Sequence, residues 1–271
     1  MSFKDFSVET KDGVAVLTLN APAKANALGE EFWQECGAAF SAFSDDPAVR
    51  VVVFASTGKH FSSGIDLQYL QSLLPNQEVD PARAMDEIRR KIKSLQGALS
   101  AIDQCRVPVL AAIQGGCFGA GVDLVSACDV RYGSEDAFFV IQEINIGMVA
   151  DVGTLQRMPR QLPDGLMREL AFTGRKLHAA EAKDVGFINY IAEDAEALLA
   201  HVLKIAATIA EKSPLAVSGS KEMLNYGRDH SVADGLDYIA SWNAGMLSMN
   251  DVIKGAMAVL SREKAEFDDL L

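Results

Sequence analysis

Cysteine, aromatic residues and positive charge are all in short supply in this sequence, and each shortage removes a class of protein. Cysteine occurs only at Cys36, Cys105, Cys117 and Cys128. None forms a C-x-x-C pair and none lies beside a histidine at metal-ligand spacing, so the four read as reduced, buried thiols and no metal is expected. Aromatics make up 7% of the chain. Lys and Arg number 25 against 37 Asp and Glu, a formal net charge of −12. A general nucleic-acid binder needs a basic footprint to displace counterions, so no nucleic acid is expected as a partner. A local patch still suffices to hold a few phosphates.

Other absences narrow the field further. No apolar run is long enough to span a bilayer, so no membrane is expected. Met1 to Phe6 carry neither an apolar signal core nor an Arg-rich leader, and Asp268-Asp269-Leu270-Leu271 matches no lipidation or peroxisomal signal. The expected compartment is the cytoplasm. The histidines His60, His178, His201 and His230 are scattered, and neither G-x-S-x-G nor G-x-x-x-x-G-K-[ST] occurs. Ser-His-Asp hydrolysis and P-loop nucleotide chemistry are therefore not expected.

What remains has the make-up of a soluble globular protein, 49% hydrophobic and 23% charged. Its 271 residues sit at the upper end for one hydrophobic core. Phe6 to Thr10 and Val14 to Leu19 alternate around Asp12-Gly13, which predicts a hairpin. Asn26 to Phe43 reads as a helix, and Val51 to Ala55 as a strand buried on both faces. The polar stretch 71–83, with Pro75 and Pro81, reads as a mobile connection. A long helix from Ala84 to Cys105 and a buried strand from Val107 to Ile113 follow. After Ile191 the pattern is almost wholly helical. Two regions are expected: 1–193, a strand–helix core with the active site, and 194–271, a helical region for oligomerisation.

Chemistry is concentrated at two glycine-bearing bends that follow strands, Phe61-Ser62-Ser63-Gly64-Ile65-Asp66-Leu67 and Gly115 to Gly121. Both offer backbone N–H groups that no side chain screens, and the second opens a helix whose first N–H groups lack partners. Such a bend suits a phosphate or a carbonyl oxygen that becomes negative during reaction. Close behind come Asp123, Glu143 and Asp151 in apolar settings. Buried carboxyl groups are costly unless paired or used, and burial raises their pKa toward the range useful for proton transfer. Structural roles are also open to each: Asp123 as a helix N-terminal acid, Asp151 as an N-cap near Thr154, Glu143 as a partner of Arg131 or Arg157.

Gly121-Val122-Asp123-Leu124, Cys128-Asp129-Val130-Arg131-Tyr132 and Asp151-Val152-Gly153-Thr154-Leu155-Gln156-Arg157 resemble the enoyl-CoA hydratase/isomerase (crotonase) superfamily. Together with Arg228 to Ala233 and Ser241-Trp242-Asn243 they look most like its Δ3,5-Δ2,4-dienoyl-CoA isomerases. The resemblance implies an α/β fold, a crotonase-like spiral of ββα units with a helical C-terminal trimerisation region, and a homotrimer or homohexamer. It implies an oxyanion hole from the N–H groups of Ile65 and Ala120, where the family pattern has glycine at the second position. Ser63, Gly64, Ile65, Asp66, Leu67 and Ala120 would line the thioester end of an acyl-CoA substrate. Asp123, Glu143 and Asp151 would be the catalytic acids, Asp151 being the one hydratases lack. No cofactor is implied beyond the CoA of the substrate. The expected reaction shifts a 3,5-dienoyl-CoA to its 2,4 isomer, in fatty-acid β-oxidation. The rivals are an enoyl-CoA hydratase and a non-catalytic acyl-CoA- or RNA-binding protein on the same scaffold.

Overall fold

The computed structural model describes residues 3–74 and 79–270. The chain opens with the hairpin that Asp12-Gly13 predicts. β1 (Phe6–Lys11) and β2 (Val14–Leu19) pair antiparallel, and both turn residues take the positive φ that a two-residue hairpin loop requires. β2 pairs in parallel with β3 (Val51–Ser56), and β4 (Val109–Ile113), β6 (Val130–Ser134) and β9 (Ile191–Ala192) continue the sheet in the order β1-β2-β3-β4-β6-β9. The short strands β5 (Gly116–Phe118), β7 (Phe138–Val140) and β8 (Leu177–His178) form a second sheet in that order.

Among the described residues, seven α-helices interleave with these strands: α1 (Glu30–Asp45), α2 (Leu67–Leu73), α3 (Pro81–Gln104), α4 (Ala120–Ala127), α5 (Thr154–Arg157), α6 (Asp164–Thr173) and α7 (Ala179–Asp184). The winding is the expected spiral. Two turns lay one strand in the large sheet, one in the small sheet, then a helix: β4-β5-α4 and β6-β7-α5. In the preceding turn a single bridge from Ser62 to Cys117 stands where a small-sheet strand would lie.

A parallel sheet must be covered on both faces, and β3 shows how this is done. Val52 and Phe54 face Phe32, Phe40 and Leu99 of α1 and α3. Val51, Val53 and Ala55 face Leu198, Val202 and Ala206 of α8 (Ala195–Ala210). Burying a side chain the size of Phe54 contributes ~2–3 kcal/mol. Three more helices follow, α9 (Pro214–Tyr226), α10 (Val232–Met246) and α11 (Met249–Ser261). Asp194, Ser213, Ser231 and Ser248 each cap the helix they precede, accepting a first-turn N–H. α10 and α11 bury no residue, yet Val232, Leu236, Ile253, Met257 and Leu260 are exposed along them.

Two local readings differ from the sequence expectation. The first helix starts at Glu30, because buried Asn26 adopts a left-handed φ of 52° and donates to the carbonyls of Thr57 and His60. Within 71–83, Gln71 to Leu73 complete α2, and Pro81 opens α3 at a position where its missing N–H costs nothing. Residues 75–78 lie outside the described residues. The four cysteines are free and buried, and burial pushes all four thiols up. Among the described residues no helix is long and apolar enough to cross a membrane.

Candidate active site

The two glycine-bearing bends leave the carboxyl ends of the parallel strands β3 and β4, where open α/β sheets place their ligands. Backbone bonds lace the bends together: the Phe118 N–H donates to the Ser62 carbonyl at 3.0 Å and the Ser62 N–H to the Gly116 carbonyl at 3.3 Å. Gly64 has φ +89°, and a Cβ there would stand 2.8 Å from the Phe118 carbonyl oxygen and 3.5 Å from the Ala120 nitrogen. Only glycine permits this approach. It brings Ile65, just after Gly64, beside Ala120, the first residue of α4. Neither the Ile65 N–H nor the Ala120 N–H has an acceptor among the described residues. Both residues line one cavity, so two free donors, one at the positive end of a helix, border the same space.

That cavity has a volume of about 680 Å³. Ser63, Ile65, Asp66 and Leu67 border it from the first bend, Gly119 and Ala120 from the second, and Glu143 and Asp151 from beyond. One wall is apolar: Trp33 of α1, Leu70 and Leu73 of α2, and Ile88, Ile92 and Leu95 of α3, while Lys24, Gln68 and Gln142 add polar groups elsewhere. Of the residues predicted from sequence, Gly64 and Asp123 do not line it. Gly64 acts through the backbone bend. The Asp66 carboxylate is committed to capping α2, accepting the N–H groups of Gln68 and Tyr69.

The acids occupy three environments. Glu143 opens a short turn of 3-10 helix, and its Oε2 is buried without a partner among the described residues. Burial, reinforced by the charge of Asp123, pushes its pKa up to about 7. Asp123 is wholly inaccessible to solvent. Its Oδ1 accepts the Thr154 N–H at 2.6 Å, and its Oδ2 has no partner. Burial raises its pKa to about 6 against the opposing bonds from Thr154. Asp151 is half-buried, and burial raises its carboxyl as well. Charges this close titrate as a set, since ionising one makes the next harder to ionise.

The structural alternatives resolve clearly. The Arg131 guanidinium is spent on the carbonyls of Val125, Cys128 and Phe187, and Arg157 reaches Asp103, Ser100 and the Val152 carbonyl, so neither pairs with Glu143. Gly153, not Asp151, precedes α5, and Asp123 from α4 receives the first N–H of that helix. Asp123 therefore sits in the first turn of its own helix α4 and also holds the N-terminus of α5.

Sequence reasoning did not find the apolar wall or the supports of the acids. The wall had a readable signal, since Ile88, Ile92 and Leu95 repeat at helical spacing on α3. Gln96 had none. Its Nε2 donates to the Asp151 carbonyl across 55 positions of sequence at 2.6 Å. Among the described residues no group of three or more His, Cys, Asp or Glu is arranged to hold a metal ion.

Comparison with known proteins agrees with this architecture. Residues 9–270 match the enoyl-CoA hydratase/isomerase family model. The chain is 44% identical to the peroxisomal Δ3,5-Δ2,4-dienoyl-CoA isomerase of Arabidopsis thaliana, over 96% of this chain and 95% of that one. It is 46% identical to the mitochondrial Δ3,5-Δ2,4-dienoyl-CoA isomerase of Mus musculus, over 90% and 75% of the two chains. Among solved structures, an enoyl-CoA hydratase from Bacillus anthracis superimposes with a TM-score of 0.88 at 26% identity, covering 98% of this chain and 99% of that one. A spiral of ββα turns, two free N–H groups over one cavity and the match along nearly the whole length lead to one assignment: the chain belongs to the enoyl-CoA hydratase/isomerase family.

Proposed function

We propose that the chain isomerises a 3,5-dienoyl-CoA to the 2,4-dienoyl-CoA. The carrying observation is that two acids, Glu143 and Asp151, border the cavity beside the free N–H groups of Ile65 and Ala120, while the third, Asp123, does not line it and holds the Thr154 N–H. The thioester carbonyl oxygen sits between the two N–H groups. Glu143 takes a proton from C2, and the negative charge spreads from that oxygen along the conjugated chain to C6. Each N–H held at the developing oxyanion contributes ~3–4 kcal/mol to lowering the barrier. Asp151 gives a proton to C6, leaving double bonds at C2 and C4. One group must be ionised and the other protonated at the start; burial raises both carboxyls, that of Glu143 to about 7, where it can exchange a proton near neutrality. No metal or redox step enters this proton balance, and CoA arrives with the substrate.

The relatives named Δ3,5-Δ2,4-dienoyl-CoA isomerase support this reading. Hydration of a 2-enoyl-CoA, as the name of the Bacillus anthracis structure suggests for that protein, needs two acids gripping one water. Here one oxygen of the Asp123 carboxylate holds the Thr154 N–H, and Asp123 is not among the residues that line the cavity. The proposal includes a homotrimer or homohexamer built through region 194–271, whose last two helices carry exposed apolar side chains. Cytoplasmic residence is also part of it, tested by cell fractionation, since the two relatives carry peroxisomal and mitochondrial names.

The deciding assay mixes the purified protein with a 3,5-dienoyl-CoA and follows absorbance of the conjugated product, beside a 2-enoyl-CoA hydration control. Growth of the diene signal supports the isomerase. Hydration without a diene signal overturns it.

A further inference from the structure

The segment that carries Asp151 has no sheet or helix of its own to hold it. Among the described residues, the backbone N–H groups of Asp151, Val152 and Gly153 donate to no backbone acceptor. Its Gly153 carbonyl accepts from the N–H groups of Gln156 and Arg157, and three side chains hold the rest. The Thr154 N–H is tied to Asp123 on α4 at 2.6 Å. The Val152 carbonyl accepts from Arg157 at 3.4 Å. The Asp151 carbonyl accepts from Gln96 Nε2 on α3 at 2.6 Å. Of these, only the Gln96 bond acts on the residue whose carboxyl faces the cavity.

The orientation of the Gln96 amide follows from its partners. Nε2 is the only atom that can donate to a carbonyl, and Oε1 is left to accept from Lys93 Nζ at 3.1 Å. The Asp151 carbonyl is rigidly linked to its own Cα, so fixing that oxygen fixes the direction in which the acid side chain leaves the backbone. Gln96 also follows directly on Leu95, the last of the α3 residues in the apolar wall. Helix α3 packs on α1 and α4, so the anchor rests on a rigid element rather than on another loop.

We infer that Gln96 is a positioning residue for Asp151: it ties the acid that serves the C6 end of the substrate to the helix forming the acyl wall. This rests on the isomerase reading above. Proton transfer tolerates little misplacement, and an error of ~1 Å at a reacting group costs ~100-fold in rate. Among the described residues, Gln96 makes no hydrogen bond to Glu143 or to the two N–H donors. Removing the amide should therefore separate the two halves of the reaction.

The test uses the full-length protein and the Gln96→Met variant, which keeps the length of the side chain and loses the donor. With a 3,5-dienoyl-CoA in D2O, two rates are read: formation of the conjugated diene, and deuterium entry at C2 of recovered substrate. Thermal melting and KM are measured beside them. The expected result is a fall of ~10–100-fold in kcat for isomerisation, with KM within ~3-fold, unchanged melting, and C2 exchange falling far less than isomerisation. A kcat within ~2-fold of wild type overturns the role of Gln96 while leaving the isomerase reading intact. Parallel loss of exchange and isomerisation overturns it too, because general damage to the wall would act on both ends alike. Absence of diene formation in the wild type itself overturns the isomerase reading, and this inference with it.

Discussion

Asp123 Oδ1 accepts the backbone N–H of Thr154 at 2.6 Å, three residues beyond Asp151, and thereby joins the helix that opens at Ala120 to the segment that carries the cavity's second acid. The bond needs an oxygen acceptor at position 123, not a proton carrier. Asp123→Asn keeps that acceptor and should retain more isomerase turnover than Asp123→Ala. The alanine variant leaves the Thr154 N–H buried and unpaired, which costs ~1–3 kcal/mol of stability and frees the Asp151 segment. Steady-state kinetics and urea unfolding of the two variants check this. Equal turnover in both would remove Asp123 from the positioning of Asp151.

Asp151 itself carries a sharper expectation. Asp151→Asn preserves size and cavity shape but abolishes the acid, so diene formation should fall by ~100–10,000-fold, the range for removal of one positioned proton donor. Acyl-CoA affinity, measured by calorimetry with a saturated thioester, should stay within ~3-fold, because the apolar wall and the two N–H donors are untouched. Turnover near that of the wild type would sink the assignment.

The raised pKa of Glu143 has a consequence for stability. Its folded value of about 7 lies above the ordinary value of 4.5, so the folded protein holds this proton more tightly than the unfolded chain does. Below pH 4.5 both states are protonated and the group costs nothing. As pH rises through 7 the folded state must bury a charge, and stability falls. Glu143→Gln removes that loss. The variant should match the wild type near pH 4 and exceed it by ~1–3 kcal/mol above pH 8, while losing isomerisation. Thermal melting at the two pH values is the check, and an unchanged difference between them would mean that Glu143 titrates normally.

How much of this was legible beforehand follows from which interactions are local. The hairpin at Asp12-Gly13, the two-faced burial of β3 and the helical run after Ile191 are written in neighbouring residues, and the sequence predicts them. The acids were legible because carboxyl groups amid apolar residues are anomalous. Which of them line the cavity was not. Whether Asp123 faces the cavity or Thr154 depends on where α5 starts relative to α4, a contact spanning 31 positions. Gln96 is the extreme case: a polar residue on a partly exposed helix looks like solvated surface until the fold brings the Asp151 carbonyl to it. The false start of α1 has the same origin. Asn26 sits in a helical apolar pattern, yet its side chain is claimed by carbonyls more than thirty residues away.

The exposed apolar side chains of the last two helices predict an assembly. Val232 and Leu260 are each about four-fifths exposed, which a chain acting alone has no reason to tolerate in a contiguous helical pair. Sedimentation should give a mass of three or six chains. The double variant Ile253→Asp, Leu260→Asp should shift it toward the single chain, and a single-chain wild type would refute the assembly.

Gly64 offers the most direct test of the paired N–H groups. Its φ of +89° lies where L side chains are rare, and a Cβ would meet the Phe118 carbonyl at 2.8 Å. Gly64→Ala must therefore push the first bend away from the second, moving the Ile65 N–H relative to the Ala120 N–H. Strain at such a site costs ~1–3 kcal/mol, so the variant should still fold. Catalysis depends more steeply on the separation, because both donors must reach one oxygen of the thioester. Loss of one donor's alignment lowers turnover by ~100–1,000-fold. The same variant should retain apolar binding of the acyl chain, since no wall residue moves. A variant that folds, binds and turns over at the wild-type rate would show that the two N–H groups do not share an oxyanion, and the reaction would need another source of stabilisation for the charge leaving C2.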